Sequence, residues 1–182
     1  VKDTVKDKGV KECQSGTTGM EIAKSIGMGL YKAACLAKID GETCDIRTPV
    51  TKDCHVEILT FDDEDGKKAF WHTTSHILAQ AVKRLYPSAK LAIGPSIANG
   101  FYYDFDVDFP FTSEILEKIE AEMKKIVKEN IPLEQFDLSA DEALKLMEEK
   151  DEPYKVELIK EHAGKGEKIS FYKQAEFTEL CV

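Results

Sequence analysis

Long apolar runs are missing from this 182-residue chain, so no segment reaches the roughly 20 residues that a helix needs to cross a bilayer. A charged region followed by an apolar core, which marks a secretory signal, is missing from its start. Cysteine is sparse: the chain has five cysteines, an odd number, and no two of them form a Cys-x-x-Cys pair. These absences argue against a membrane protein and against a disulfide framework, and they favour reduced thiols in a cytoplasmic protein.

An excess of positive charge is missing as well. The formal net charge is −9, the first 60 residues are balanced, and the whole acidic excess lies beyond them. An acidic field repels phosphate, so the composition argues against broad nucleic-acid binding and leaves only local contacts. With 42% hydrophobic and 32% charged residues, the chain has the composition of a globular protein of one domain or two small ones.

Two units are predicted on either side of the acidic stretch FDDEDGKK (residues 61–68), which is typical of a linker. In the first unit, GMEIAKSIG predicts a helix that starts near Thr17 or Thr18 and ends before Gly27. LAKI predicts a strand running into a turn at Asp40-Gly41, and CHVEILTF predicts a closing strand. This mixture indicates a compact α+β domain.

The second unit alternates helices and strands. NGFYYDFDVDFP predicts one strand whose buried face carries every second residue: Phe101, Tyr103, Phe105 and Val107. TSEILEKIEAEMKKIVKEN predicts a helix with an inward stripe formed by Ile115, Ile119, Met123 and Ile126. SADEALKLMEE begins with a capping box of Ser139 and Glu142, and EPYKVELIKEH predicts a helix with Pro153 in its first turn. Strands are predicted for PLEQFDL and for the start of KISFYKQAEFTELCV.

Histidine is scarce, yet two of the four histidines, His72 and His76, stand four residues apart in WHTTSHILAQAVKRLYP. On a helix their side chains lie within about 40° of each other, on a polar face shared with Gln80 and Lys83. The apolar stripe lies on roughly the opposite side and consists of Ile77, Leu78, Ala81, Val82 and Leu85. Such a pair can share a metal, or one ring can orient while the other moves a proton; the alternative is two solvent-facing residues without a role.

Near the end of the sequence stand three further candidates. Cys181 follows the acid Glu179, although a lone cysteine is more often an inert residue than a nucleophile. Lys155 and Tyr172 add an amine and a phenol. None of these residues would attract notice by itself.

Over its whole length the chain resembles the amino-terminal third of bacterial-type threonyl-tRNA synthetases. The resemblance rests on SGTTGMEIAKSIGMGLYKAACLAKIDGE and TPVTKDCHVEILT in the first unit, and on HTTSHILAQAVKRLYP, LAIGPSIANGFYYDFD and FTELCV in the second. It implies an α+β protein of two domains. Residues 1–61 would form a ubiquitin-like β-grasp TGS domain. Residues 62–182 would form an editing domain, with the HxxxH helix packed on an antiparallel sheet and the chain ending before that domain is complete.

The resemblance also implies a site. Its catalytic residues would be His72, His76, Lys155 and Cys181, and its substrate-binding residues would be Tyr103, Tyr172 and Glu179. In the family an aspartate usually stands where this chain has Glu179. A family histidine four residues after the cysteine would lie beyond Val182.

The implied reaction is hydrolysis of serine wrongly esterified to the acceptor end of tRNA for threonine. Serine lacks one methyl group of threonine, which is worth only about 1–3 kcal/mol in binding, so a second site must remove the error. No cofactor is expected here; ATP, Mg and Zn, and the homodimer interface, would belong to other domains of the synthetase. Two alternatives stay open: a zinc set of His72, His76 and Cys181, as in related alanyl-tRNA editing proteins, and a non-catalytic module that docks tRNA or protein.

Overall fold

The computed structural model describes residues 2–5, 9–163 and 168–181. The chain divides into two compact units, Val1–Thr73 and Thr74–Val182. This division falls inside the long helix α3 (Glu64–Leu85), twelve residues after the boundary expected at residue 61.

The first unit contains a five-stranded sheet in the order β2-β1-β7-β4-β5, in which β1 and β7 run parallel and the other neighbours run antiparallel. A separate pair joins β3 to β6. The elements are β1 (Lys2–Val5), β2 (Gly9–Glu12), β3 (Thr17–Thr18), α1 (Gly19–Ile26), α2 (Met28–Ala33), β4 (Ala34–Ile39), β5 (Glu42–Cys44), β6 (Pro49–Val50) and β7 (Cys54–Thr60).

Local sequence signals account for several of these elements. Helix α1 starts as predicted, because the Thr18 hydroxyl accepts the Glu21 amide while the Glu21 carboxylate accepts the Thr18 amide at 2.8 Å. It ends at Gly27, also as predicted. The turn at Asp40 and Gly41 has positive φ at both residues, which suits the tight link between β4 and β5. Helix α2 and strands β1 and β2 are not among the predicted elements.

The linker predicted at residues 61–68 is wrong from residue 64 onward, because helix α3 begins at Glu64. Asp63 starts the helix: its carboxylate accepts the Thr60 amide at 2.8 Å, and its carbonyl accepts the Lys67 amide at 2.8 Å. Acidic residues in a first turn also favour a helix, because they face the positive end of its dipole. The acidic residues at 62–65 are therefore compatible with a linker and with the first turn of a helix.

The second unit combines helices with a three-stranded antiparallel sheet in the order β12-β13-β14 and two short strand pairs, β9-β10 and β8-β11. Its elements after α3 are β8 (Lys90–Leu91), β9 (Ser96–Ile97), β10 (Gly100–Phe101), β11 (Phe105–Asp106), α4 (Ser113–Glu129), β12 (Glu134–Leu138), α5 (Ala140–Glu149), α6 (Pro153–Ala163), β13 (Ile169–Gln174) and β14 (Phe177–Cys181). The predicted mixture of helix and sheet is confirmed. Among the described residues, no helix is both long and apolar enough to cross a membrane.

The helices of this unit follow their predicted signals. Thr112 caps α4, Ser139 and Glu142 form the capping box of α5, and α6 begins at Pro153. One core lies between the apolar stripes of α3 and α4 and includes Ala81, Val82, Ile119 and Ile126. A second core lies beneath the hairpin formed by β13 and β14. It includes Met147, Ile159, Phe171 and Leu180.

The single strand predicted for NGFYYDFDVDFP is wrong in its continuity. The segment forms two short strands, because β10 pairs with β9 whereas β11 pairs with β8. The predicted alternation is confirmed: Phe101, Tyr103 and Phe105 are half-buried, whereas Tyr102 and Asp104 are exposed. Burial of alternate side chains therefore does not require a continuous ladder.

Candidate functional site

The polar face of α3 is buried in the second unit. Ser75, His76 and Gln80 expose 0%, 5% and 1% of their surfaces. The Ser75 hydroxyl donates to the Gly94 carbonyl at 3.0 Å, and the Gln80 side-chain amide donates to the Gln174 carbonyl at 3.3 Å. His76 is therefore not solvent-facing, because the hairpin of β13 and β14 packs against this face.

One face of this hairpin carries three of the predicted site residues. In its antiparallel register Tyr172 is opposite Glu179, and Ser170 is opposite Cys181. Side chains two residues apart on a strand share a face, so Tyr172, Glu179 and Cys181 lie on the same face. The rings of His76 and Tyr172 are 6.0 Å apart, centroid to centroid, which brings the α3 histidine to this face.

A buried cluster of three polar side chains adjoins that face. The Lys155 ammonium lies 2.6 Å from Glu179 Oε1, and the side chains expose 6% and 2%. The Tyr103 hydroxyl donates to Glu179 Oε2 at 2.8 Å and accepts from Lys155 at 3.1 Å. One carboxylate thus holds a cation and a phenol in fixed positions.

Burial governs the protonation of this cluster. It raises the pKa of Glu179, an effect that the nearby Lys155 ammonium opposes. Burial also raises the pKa of Tyr103, and the Glu179 carboxylate adds to that shift. The Tyr103 hydroxyl therefore keeps its proton at neutral pH and acts as a donor. The pKa of Cys181 is raised by burial and then by Glu179, so its thiol form is favoured over the thiolate that a nucleophile requires.

Gly94 makes room for Tyr103. A Cβ atom at Gly94 would lie 2.1 Å from Tyr103 Cδ2, so every larger residue would displace the ring. The ring is also stacked on Phe105, with centroids 4.7 Å apart. The Tyr103 ring therefore packs between Gly94 and the Phe105 ring, and this packing fixes its hydroxyl at Glu179.

Comparison with known proteins agrees with the sequence motifs. The family model described as TGS domain matches residues 1–60. Threonine–tRNA ligases from Acetivibrio thermocellus and Clostridium acetobutylicum are each 59% identical to the chain over 181 residues, and one from Clostridium botulinum is 61% identical. Each alignment covers the whole chain. The chain is homologous to the N-terminal part of these ligases.

The chain spans 28% of the length of these threonine–tRNA ligases. The predicted resemblance is confirmed, and residues 1–60 contain a TGS domain. The predicted roles of individual residues and the predicted domain boundary stay predictions.

The structure places the seven predicted site residues as follows. Lys155, Glu179 and Tyr103 form the buried cluster, and His76 contacts Tyr172. Cys181 is on the same hairpin face. His72 lies one turn before His76 on α3 and is half-buried; it belongs to the first compact unit. Across residues 2–5, 9–163 and 168–181, no group of three His, Cys, Asp or Glu side chains is arranged to hold a metal ion. The zinc alternative stays a prediction.

A cavity of about 280 Å³ lies beside the ion pair of Lys155 and Glu179. Side chains from α3, β14 and the start of α6 form its walls, including Gln80, Lys83, Glu152, Phe177, Lys155 and Glu179. Among the described residues, His76, Tyr172 and Cys181 do not line it. The cavity therefore adjoins Lys155 and Glu179 but is not lined by His76.

Glu152 is a buried acid that the sequence analysis missed. It exposes 4% of its surface, its Oε1 lies 2.7 Å from the Lys83 ammonium, and its Oε2 accepts the Leu91 amide at 2.9 Å. The available signal was its place directly before Pro153, where residues that cap helices occur. Nothing in the sequence indicates that its carboxylate is buried.

Proposed function

We propose that the second unit hydrolyses serine wrongly esterified to tRNA for threonine. The observation that carries the proposal is the buried cluster of Lys155, Glu179 and Tyr103 beside the pair of His76 and Tyr172. Buried, oriented charges are far more effective than exposed ones at stabilising charge that develops in a reaction. Homology to threonine–tRNA ligases supplies the substrate class.

Ester hydrolysis needs a positioned water, a group that accepts its proton, and a donor for the oxyanion. In the proposed mechanism His76, with His72 one turn away, holds the water and takes its proton. Lys155 donates to the ester oxygen or to the terminal ribose. Glu179 and Tyr103 keep the Lys155 ammonium in place.

Cys181 has a different role in this proposal. Because burial and Glu179 raise the pKa of its thiol, Cys181 shapes the pocket or contacts the substrate's amino group and does not attack the ester. Tyr172 orients the substrate across from Glu179. Threonine would be excluded by crowding of its additional methyl group.

We further propose that the chain works as part of a threonine–tRNA ligase, which joins threonine to its tRNA with ATP. The partner would be the acceptor end of that tRNA. The residues of this chain would then serve proofreading, and ATP, Mg and Zn would act in other domains.

Deacylation of seryl-tRNA for threonine tests the proposal. The chain is compared with Lys155→Met and with Lys160→Met, a matched control at an exposed position on the same helix. In protein shown by thermal unfolding to be folded, we expect Lys155→Met to lower the rate at least about tenfold, since loss of a positioned donor costs about 100- to 1000-fold, and Lys160→Met to leave it unchanged. His76→Ala is expected to lower the rate by a similar factor.

A folded chain without hydrolysis would contradict the proposal. If that chain still bound the tRNA, with affinity falling steeply as salt rises, the result would favour the docking module instead. Chelator treatment addresses the zinc alternative: an unchanged rate agrees with the proposal, whereas a lost rate that zinc restores would establish a metal-dependent site.

A further inference from the structure

We propose that Glu152 is a positioning residue for Lys155: it anchors the first turn of α6 and the segment that carries Tyr103 to the same point on α3. This inference rests on the proposed function for its kinetic test, but not for its structural test. The contacts of Glu152 provide the argument.

Glu152 directly precedes α6, and its carbonyl accepts the Val156 amide of the first turn at 3.1 Å. Lys155 is three residues further on and therefore lies about one turn along the same helix. Any movement of Glu152 moves the start of α6, and with it the Cα atom from which the Lys155 side chain extends.

The Glu152 carboxylate is held from two directions. Oε1 pairs with Lys83 on α3 at 2.7 Å, and Oε2 accepts the Leu91 amide on β8 at 2.9 Å. Lys83 is itself fixed, since its ammonium donates to the Ala89 carbonyl at 2.9 Å and the Pro87 carbonyl at 3.2 Å. The carboxylate is thus a fixed point between α3, β8 and α6.

The Leu91 contact connects this fixed point to Tyr103. Leu91 is paired with Phe105 in the β8-β11 ladder, and Phe105 is stacked on Tyr103. Backbone hydrogen bonds between residues 92–93 and Asp104 extend the connection to the residue after Tyr103. The Glu152 carboxylate is therefore connected to the segments that carry Lys155 and Tyr103, the two side chains that contact Glu179.

The Glu152 charge also acts on the cluster. It raises the pKa of both Glu179 and Tyr103, although burial and the directly bonded partners of each group have larger effects. Charged groups near these residues come from several elements: Lys83 and Arg84 from α3, Lys150 from the end of α5, Lys155 from α6, Glu176 from the turn before β14, and Glu179 from β14. Glu152 therefore influences both the position and the protonation of the cluster.

The test uses Glu152→Gln, which keeps the size and an acceptor for the Leu91 amide but loses the ion pair with Lys83. Glu149→Gln, an exposed position on α5, is the matched control. Glu152→Ala removes both contacts; if it fails to fold, Glu152→Gln alone carries the test. Thermal unfolding establishes that each variant is folded at the assay temperature.

Two measurements follow. In chain labelled with 15N-lysine, the side-chain resonance of Lys155 should shift and its ammonium protons should exchange faster in Glu152→Gln but not in Glu149→Gln. In seryl-tRNA deacylation, kcat should fall by about tenfold or more in Glu152→Gln, with little change in KM, as expected when a reacting group is misplaced.

A purely structural role would lower the melting temperature while leaving kcat and the Lys155 resonance unchanged, and this result would overturn the inference. If the unmodified chain shows no deacylation, the proposed function fails, and the Lys155 resonance alone decides the inference. An unchanged resonance in folded Glu152→Gln would then reject it.

Discussion

The Lys155 ammonium and a Glu179 carboxylate oxygen lie 2.6 Å apart in a place where neither side chain exposes more than 6% of its surface. Removing water from two charges is costly, and their mutual attraction offsets that cost only while both are present. The pair is therefore a poor source of net stability and a strong constraint on geometry.

Lys155→Met should destabilise the second unit strongly, by about 3–5 kcal/mol, because it leaves Glu179 buried without its counter-charge. Urea unfolding measures the effect. Adding Glu179→Gln to Lys155→Met should cost less than the sum of the two single changes. Lys118→Met, which breaks an exposed pair with Glu114, is the control and should change little. Additive single effects at Lys155 and Glu179 would show that the two charges do not interact.

Gly94→Ala should displace the Tyr103 ring, because the new methyl group would lie 2.1 Å from Tyr103 Cδ2. Overpacking of this kind destabilises by about 1–3 kcal/mol. Thermal unfolding measures the change in stability, and an increase in the rate of seryl-ester hydrolysis or no change in it would argue against a role for Tyr103. Gly29→Ala is the control, since a Cβ there meets nothing within 4 Å.

Cys181 should react slowly with iodoacetamide at neutral pH. Its pKa is raised first by burial and second by the Glu179 charge, so the thiolate fraction of the folded chain is below that of an ordinary cysteine. Mass spectrometry of the alkylated peptide across a pH series should give a midpoint above that of the urea-unfolded chain. Glu179→Gln should lower the midpoint without removing the effect of burial. A midpoint below that of the unfolded chain would revive Cys181 as a nucleophile.

The contribution of Glu176 to stability should disappear in acid. Hydrogen bonds from Arg84 lower the pKa of Glu176 to about 2 from an ordinary value of 4.5. The unfolded chain binds more protons between these values, so stability falls as the pH falls through them. The difference in unfolding free energy between the chain and Glu176→Gln should therefore shrink from pH 6 to pH 2. Glu176 is half exposed, so the effect is modest.

Arg84→Met provides the control for this titration. In that background the effect of Glu176→Gln on stability should depend less steeply on pH, since the largest cause of the lowered pKa is gone and only a backbone amide and the Gln80 side chain still donate to Glu176. A pH dependence as steep in Arg84→Met as in the unmodified chain would show that Arg84 does not cause the lowered pKa.

Elements with local signals were predictable. Helices α1 and α5 begin at capping boxes made by residues three apart, so the signal for each helix start is local in the sequence. The start of α3 was missed because acids at residues 62–65 suit a linker and a helix N-terminus equally. The single strand predicted for NGFYYDFDVDFP is two strands in the structure, because alternation reports burial and not hydrogen-bond partners.

In the candidate site, too, some features could be predicted from the sequence and others could not. The amphipathic pattern placed His76 and Gln80 on a polar face, and the motifs selected Lys155, Glu179 and Cys181 by resemblance to a family. Pattern alone could not show that the polar face is buried, since that depends on a hairpin almost 100 residues away in the chain. The same holds for Glu152, whose partners come from α3 and β8.

The sequence by itself determined helices α1, α4, α5 and α6, the turn at Asp40 and Gly41, the alternating burial around Tyr103, and the homology to threonine–tRNA ligases. Those features depend on neighbours within a few residues, or on residue identity alone. Only the tertiary structure decided which polar groups are buried, that Lys155 pairs with Glu179, and that Gly94 must remain small beside Tyr103. Burial and close approach are made by segments distant in the chain, and one segment's composition carries no record of what packs against it.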